Sequence, residues 1–245
     1  MSGHSKWNNI KRKKEKTDGQ RAKIFTKMGR EITVAVREGG PDPLSNGKLR
    51  DVIAKAKANN VPSDNIDRIV KKAQGADKAD YENIVYEGYG PGGVAVIVET
   101  LTENRNRTAA DVRHYFDKYG GNLGTSGCVS FMFEQKGVIV IDTDDLDEDR
   151  VMEDSLECGA DDAVFEDGAA EIITSPALLR EVRENLEAKG YTFASAEVEY
   201  VPSNYTRLEG EENLKKMGLL LEHLEDNDDV QDVWHNLENE EDLPE

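Results

Sequence analysis

The residues that could do chemistry are few and widely spaced. Four histidines (His4, His114, His223, His235) and two cysteines (Cys128, Cys158) are scattered along the chain. None stands at the short spacing that brings two ligands onto one metal ion. The acidic run at residues 142–149 comes nearer to a calcium loop. Such a loop needs a carboxylate or amide at its fifth position and glycine at its sixth. Counted from Asp142, those positions hold Leu146 and Asp147. The run therefore reads as a strand-to-helix turn with acidic capping. Gly88, Gly90 and Gly93 spell a dinucleotide fingerprint, which must open a helix. Here they open a strand pattern, so they predict a hairpin turn. Residues 124–127 lack the order of a nucleophile elbow. No catalytic residue, metal site or cofactor is expected, and both cysteines read as small buried apolar residues.

Charge is the chemistry that is left. The net charge is −19, yet residues 1–80 hold 19 Lys+Arg against 10 Asp+Glu, a net of +9. The remainder carries −28. A basic block kept within an acidic chain points to an anionic partner, nucleic acid first. The same asymmetry also fits an intramolecular role, with the basic block docked on the acidic remainder. Two features could hold phosphate. The first is an arm and a helix face: Lys6, Lys11, Arg12, Lys13, Lys14, Lys16, Lys23, Lys27, Arg30 and Arg37, with Trp7 among them to stack on an unpaired base. Lys55, Lys57, Arg68, Lys71 and Lys72 belong to the same block, with no facing assigned. The second is the stretch 104–108, where Arg105 and Arg107 stand at a strand-to-helix turn. Backbone N–H groups and the helix dipole would add to the two guanidiniums there.

The elements that would position these residues follow from periodicity. Residues 17–39 carry Ile24, Phe25, Met28, Ile32, Ala35 and Val36 on one helical face, with Thr17 and Gln20 as a capping box. Lys23, Lys27, Arg30 and Arg37 fall opposite that face. Helices after Pro43 and from Ser63, the latter capped by Ser63, complete a three-helix domain, residues 1–80. No helix-turn-helix spacing is evident. Residues 83–87, 94–101, 122–124 and 129–133 read as strands, with a helix from Thr108 to about Tyr119. Residues 137–201 read strand, helix, strand, strand, helix, strand, the ferredoxin-like order. A helix at 209–225 and a strand at 230–235 would complete the earlier segment. The expected fold is therefore α+β in three domains. They are the helical domain, a discontinuous middle α/β domain (81–133 plus 207–245), and a ferredoxin-like domain inserted at 134–206. A linear string of domains would leave an open sheet edge.

Composition sets the outer bounds. The chain has 245 residues, 37% hydrophobic and 33% charged, enough for small cores beneath much solvated surface. No apolar run approaches the ~18 residues of a membrane span. The N-terminal sequence lacks the apolar stretch of a secretory signal. Two cysteines make no disulfide framework, so a cytoplasmic protein is expected.

Several long words in the chain resemble the YebC/PmpR family. They are Gly3-His4-Ser5-Lys6-Trp7, Arg21-Ala22-Lys23-Ile24-Phe25-Thr26-Lys27 and Gly39-Gly40-Pro41-Asp42-Pro43 near the start. Tyr86-Glu87-Gly88-Tyr89-Gly90-Pro91-Gly92-Gly93 and Thr102-Glu103-Asn104-Arg105-Asn106-Arg107-Thr108 follow, with Asp228-Asp229-Val230-Gln231-Asp232-Val233 near the end. Ser2 and Cys128 are mild departures from the pattern. The resemblance implies three domains with the last inserted in the middle one, and a non-enzymatic regulator of gene expression. It implies either a DNA-binding transcriptional regulator or a ribosome-associated factor that helps translation through proline-rich stretches. Nothing resembles a mitochondrial transit peptide, which favours a bacterial form. An acidic module that engages a basic protein partner is the reading from another class.

Overall fold

The computed structural model describes residue 10 and residues 18–75, 80–144, 146–166 and 168–244. It contains helices and strands in two separate four-stranded sheets. The α+β class is as expected.

Three helices come first. Helix α1 (Asp18–Gly39) buries Met28, Ile32, Ala35 and Val36 at helical spacing, against α2 (Gly47–Ala58) and α3 (Ser63–Ala73). Gly40 at φ 87 ends α1. Buried Asn46 then joins two helices: its amide donates to the Ala35 and Gly40 carbonyls, each at 2.7 Å, and its Oδ1 accepts from Leu49 N–H at 3.0 Å. Ser63 does not cap α3. Pro62 takes the cap position with no side-chain bond, and Ser63 is the first helical residue. Thr17 of the expected capping box lies outside the described residues.

The first sheet has the order β3-β1-β2-β8, all antiparallel. Its strands are β1 (Glu82–Tyr89), β2 (Ala95–Thr102), β3 (Asn122–Leu123) and β8 (Val230–His235). Helices α4 (Arg105–Lys118) and α7 (Glu211–Asp226) cover one face. Val112, Phe116, Met217, Leu220 and Leu224 pack there on Val94, Val96 and Val98. The expected strand at 129–133 is not in this sheet. Residues Ser130–Met132 form a 3₁₀ turn, and Phe133 begins a strand of the second sheet. The central position falls to β2, which pairs with β1 along its length and with β8 from Val96 to Thr100, whereas β1 meets β3 only at Gly88 and Tyr89. The turn of 130–132 is fixed by the buried Glu87 carboxylate, which accepts from the N–H groups of Gly127, Val129 and Ser130 at 2.8–2.9 Å. Burial alone would raise this carboxyl; the N–H donors outweigh it and hold it below the usual range.

The three glycines do build a hairpin. Gly92 and Gly93 have φ 64 and 83, and β1 and β2 pair out to Tyr89–Ala95. At Gly88 a Cβ would meet the Asn122 carbonyl at 2.6 Å and the Phe116 ring at 2.8 Å. Gly88→Ala is therefore expected to cost about 1–3 kcal/mol, read as a lowered thermal midpoint with β-sheet content retained.

The second sheet is built wholly from residues between β3 and α7. Its strands are β4 (Phe133–Asp142), β5 (Asp162–Glu166), β6 (Ala169–Thr174) and β7 (Ser195–Pro202), ordered β5-β6-β4-β7 and all antiparallel. Helices α5 (Glu148–Glu157) and α6 (Leu179–Ala188) pack on Ile139, Ile141 and Ile172. This is the ferredoxin-like order. Cys158 lies in that core, and Cys128 is half-buried between the two sheets.

Candidate nucleic-acid interface

The arm residues Lys6, Trp7, Lys11, Arg12, Lys13, Lys14 and Lys16 lie outside the described residues. The four cations expected on the outer face of α1 are described, and three of them turn inward to the rest of the molecule. Lys23 pairs with Asp226 at 2.9 Å, and Lys27 donates to the Glu225 carbonyl at 2.7 Å. Both sit on the C-terminal turn of α7, where unsatisfied carbonyls and the dipole favour cations. Arg30 Nη1 lies 2.6 Å from Asp229 Oδ1 and donates to the Leu101 and Asp228 carbonyls at 3.0 and 2.9 Å. Arg37 is exposed at the far end of α1. A helix covered on two sides reads in sequence as an ordinary amphipathic one. The only sequence signal for the second contact is the acidic excess of the remainder.

Asp229 also organises the second predicted feature. Its side chain is 4% exposed, and Oδ2 accepts from Arg107 Nη2 at 2.8 Å, Thr108 Oγ1 at 2.7 Å and Thr102 Oγ1 at 3.1 Å. Helix α4 starts three residues before Thr108, capped by Asn104, whose Oδ1 accepts from Arg107 N–H at 3.1 Å. Asn104, Arg107 and Thr108 thus position the helix, while Arg105 and Asn106 stay exposed. The Arg107 side chain is still 54% exposed.

Outward cations appear on α3 instead. Arg68, Lys71 and Lys72 are all exposed, and Arg68 donates to Asn65 Oδ1 at 3.3 Å. Residues 59–62 join α2 to α3, with Asn60 left-handed at φ 58 and Val61 buried. Four residues is the connection length of a helix-turn-helix. The sequence signal was Asn59-Asn60, because asparagine tolerates the left-handed region better than most residues.

Two family descriptions match this chain. Residues 5–76 match the TACO1/YebC protein N-terminal domain, and residues 81–237 match the TACO1/YebC second and third domain. The chain belongs to the TACO1/YebC family. A probable transcriptional regulatory protein of Finegoldia magna is 60% identical over 98% of this chain and all of its own length. Another so named, from Acetivibrio thermocellus, is 59% identical over 96% of this chain and 98% of its own. The crystal structure of a conserved hypothetical protein from Aquifex aeolicus aligns with a TM-score of 0.83 at 45% identity, over 91% of this chain and 92% of that one.

In this TACO1/YebC chain the three parts meet at one lysine. Lys55 of α2 reaches Glu31 of α1 at 3.2 Å, Glu197 of β7 at 3.0 Å and Asp232 of β8 at 3.2 Å. All four side chains are 16–17% exposed. Burial works against the Lys55 ammonium, but the three carboxylates outweigh it and hold its pKa well above the ordinary value. One cation cannot neutralise three carboxylates. Burial raises Glu31 from 4.5 to about 7, against the pull of Lys55 and with Asp232 and Glu197 pushing the same way. A cavity of about 620 Å³ opens beside this junction, and the Lys23, Lys27 and Lys55 ammoniums on its walls are engaged in the contacts just described. Arg180 and Arg183 of α6 hold Asp51 of α2 at 2.5 and 3.1 Å, closing the remaining contact. Among the described residues no cluster of His, Cys, Asp and Glu suits a metal, and no helix is long and apolar enough to cross a membrane.

The folded protein binds the Glu31 proton more tightly than the unfolded chain. That contribution is complete below about pH 4.5, declines as pH rises, and is gone above about pH 7. Glu31→Gln, which copies the protonated form, is expected to stabilise the protein by about 1–3 kcal/mol at pH 8 and by little at pH 5. Urea midpoints at the two pH values check this; equal effects at both would contradict it.

Proposed function

We propose that this protein is a DNA-binding regulator of transcription, non-enzymatic and cytoplasmic, that holds phosphate through its N-terminal part. The observation that carries this reading is the outward stripe Arg68, Lys71 and Lys72 on α3, the second helix of a pair joined by a four-residue turn. Phosphates need cations, and a second helix so joined is the element that enters a major groove. The basic arm (Lys6, Lys11, Arg12, Lys13, Lys14, Lys16) adds phosphate contacts, with Trp7 stacking. The relatives' name, probable transcriptional regulatory protein, agrees with this reading. In it, Lys23, Lys27 and Arg30 of α1 serve to dock the basic part, and exposed Arg37 adds to the phosphate contacts. The net acidity of the remainder disfavours nucleic acid over most of its surface and so localises the contact.

A second reading, ribosomal RNA and a role in translation, is favoured by one feature of α3. Asp64 and Asp67 are exposed on the same helix and oppose deep insertion between phosphate rows. Structured RNA held at its backbone tolerates this better.

Sedimentation of a cell lysate through sucrose, with separate DNase and RNase arms, tests both readings. A heavy fraction lost with DNase is expected for the transcriptional regulator. A fraction that migrates with ribosomes, survives DNase and collapses with RNase would transfer the assignment to translation. A nuclease-resistant heavy complex would contradict both and point to a protein partner.

A further inference from the structure

We propose that the outer face of α4 is a second phosphodiester-binding surface, contributed by the acidic part of the chain. It extends the nucleic-acid reading above and rests on it. The helix carries Arg105, Arg107, Arg113 and Lys118 against Asp111 and Asp117, a net of +2. The other helices beyond residue 81 are net acidic: −4 for α5, −1 for α6 and −3 for α7. In a segment of net −28, one basic helix is a local exception that solubility does not require.

Its cations are also placed to be used. Thr108, Val112 and Phe116 fix the buried side, and Arg105, Arg113, His114 and Lys118 are exposed. Among the described residues no carboxylate lies within ion-pair distance of Arg105, Arg113 or Lys118. Arg107 is anchored by one nitrogen to Asp229, with half its side chain in solvent. At 1.5 Å per residue, Arg107, Asp111, His114 and Lys118 form a stripe about 16 Å long, with one carboxylate among its basic groups. Ala110 is exposed within the stripe, so a backbone can approach closely there. The His114 ring lies 6.0 Å from Tyr115, which lies 5.8 Å from His223, and Lys118 stands 5.0 Å over Tyr119. Three arginines to one lysine suits phosphate held by paired N–H donors. The Arg107–Asp229–Arg30 link ties the start of α4 to α1, so one polyanion can run from the N-terminal part onto this face.

The test is fluorescence anisotropy of the full chain with labelled duplex DNA, duplex RNA and single-stranded RNA over a salt series. The variant is Arg105→Glu/Arg113→Glu/Lys118→Glu, which spares Arg107 because it holds Asp229. Its comparison is Arg68→Glu/Lys71→Glu/Lys72→Glu on α3, and thermal melts confirm that both fold. The α4 variant is expected to bind at least about 10-fold more weakly, with the log–log salt slope reduced by about 2–3. Wild-type affinity and slope in the α4 variant, with loss in the α3 variant, would overturn the α4 surface and leave the nucleic-acid reading standing. No binding by the wild-type chain even at low salt would overturn both. Equal competition by polyglutamate would overturn the phosphodiester assignment in favour of an acidic protein partner.

Discussion

Replacing Lys55 with methionine is expected to lower the unfolding free energy by about 3–5 kcal/mol at pH 7.5. The ammonium bridges Glu31, Glu197 and Asp232, which come from three separate packed parts of the molecule. Without it, three mostly buried carboxylates lose their shared ammonium in a low-dielectric junction. They must then take up protons, or the parts must separate to let water in. The loss is therefore expected to shrink at pH 5.5, where protons come at little cost. Faster proteolysis at residues 202–207, one connection between the second sheet and the first, is expected to accompany it. A urea midpoint within experimental scatter of the wild type at pH 7.5 would show that Lys55 does not hold the junction.

Asp229→Ala is the second large effect. It removes the acceptor shared by two guanidiniums, Arg30 and Arg107, and two buried hydroxyls, Thr102 and Thr108. The expected loss is again about 3–5 kcal/mol. Asp229→Asn separates charge from shape, because the amide can still accept one bond while the ion pairs vanish; it is expected to lose a smaller amount. Burial would raise the Asp229 carboxyl, but bonds from Arg107, Thr108 and Arg30 pull it from 3.8 to about 2. Its stabilisation is therefore present above about pH 3.8 and lost as pH falls through about 2. Urea midpoints across that range should converge for the wild type and Asp229→Asn at the acid end. A constant gap would contradict the ion-pair explanation.

The two residues also show what the sequence could and could not disclose. Periodicity is local, so the apolar stripe of α1 was legible from Met28 to Val36, as was the ferredoxin-like order of β4 to β7. A second buried side of α1 is a tertiary fact. Lys23, Lys27 and Arg30 look solvent-facing until α7 and the loop at Asp229 arrive from 200 residues away. Strand length and pairing partner are non-local too. Residues 129–133 have strand composition, but the Glu87 carboxylate draws the Val129 and Ser130 N–H groups into a turn, and β2 takes the central place in the sheet. The start of α4 was placed late, at Thr108 instead of Arg105. Asn104 caps α4, while the Thr108 hydroxyl is spent on Asp229. The outward cations of α3 were visible as residues but not as a face, because facing depends on which side of a short helix its neighbours cover.

The central claim is that anionic nucleic acid meets the basic part of the chain. Ultraviolet cross-linking in living cells, followed by peptide mapping of nucleotide adducts, addresses it most directly. Adducts are expected on peptides from residues 1–80, around Trp7 and along α3, and on α4. No adducts at all, or adducts confined to residues 133–202, would contradict it.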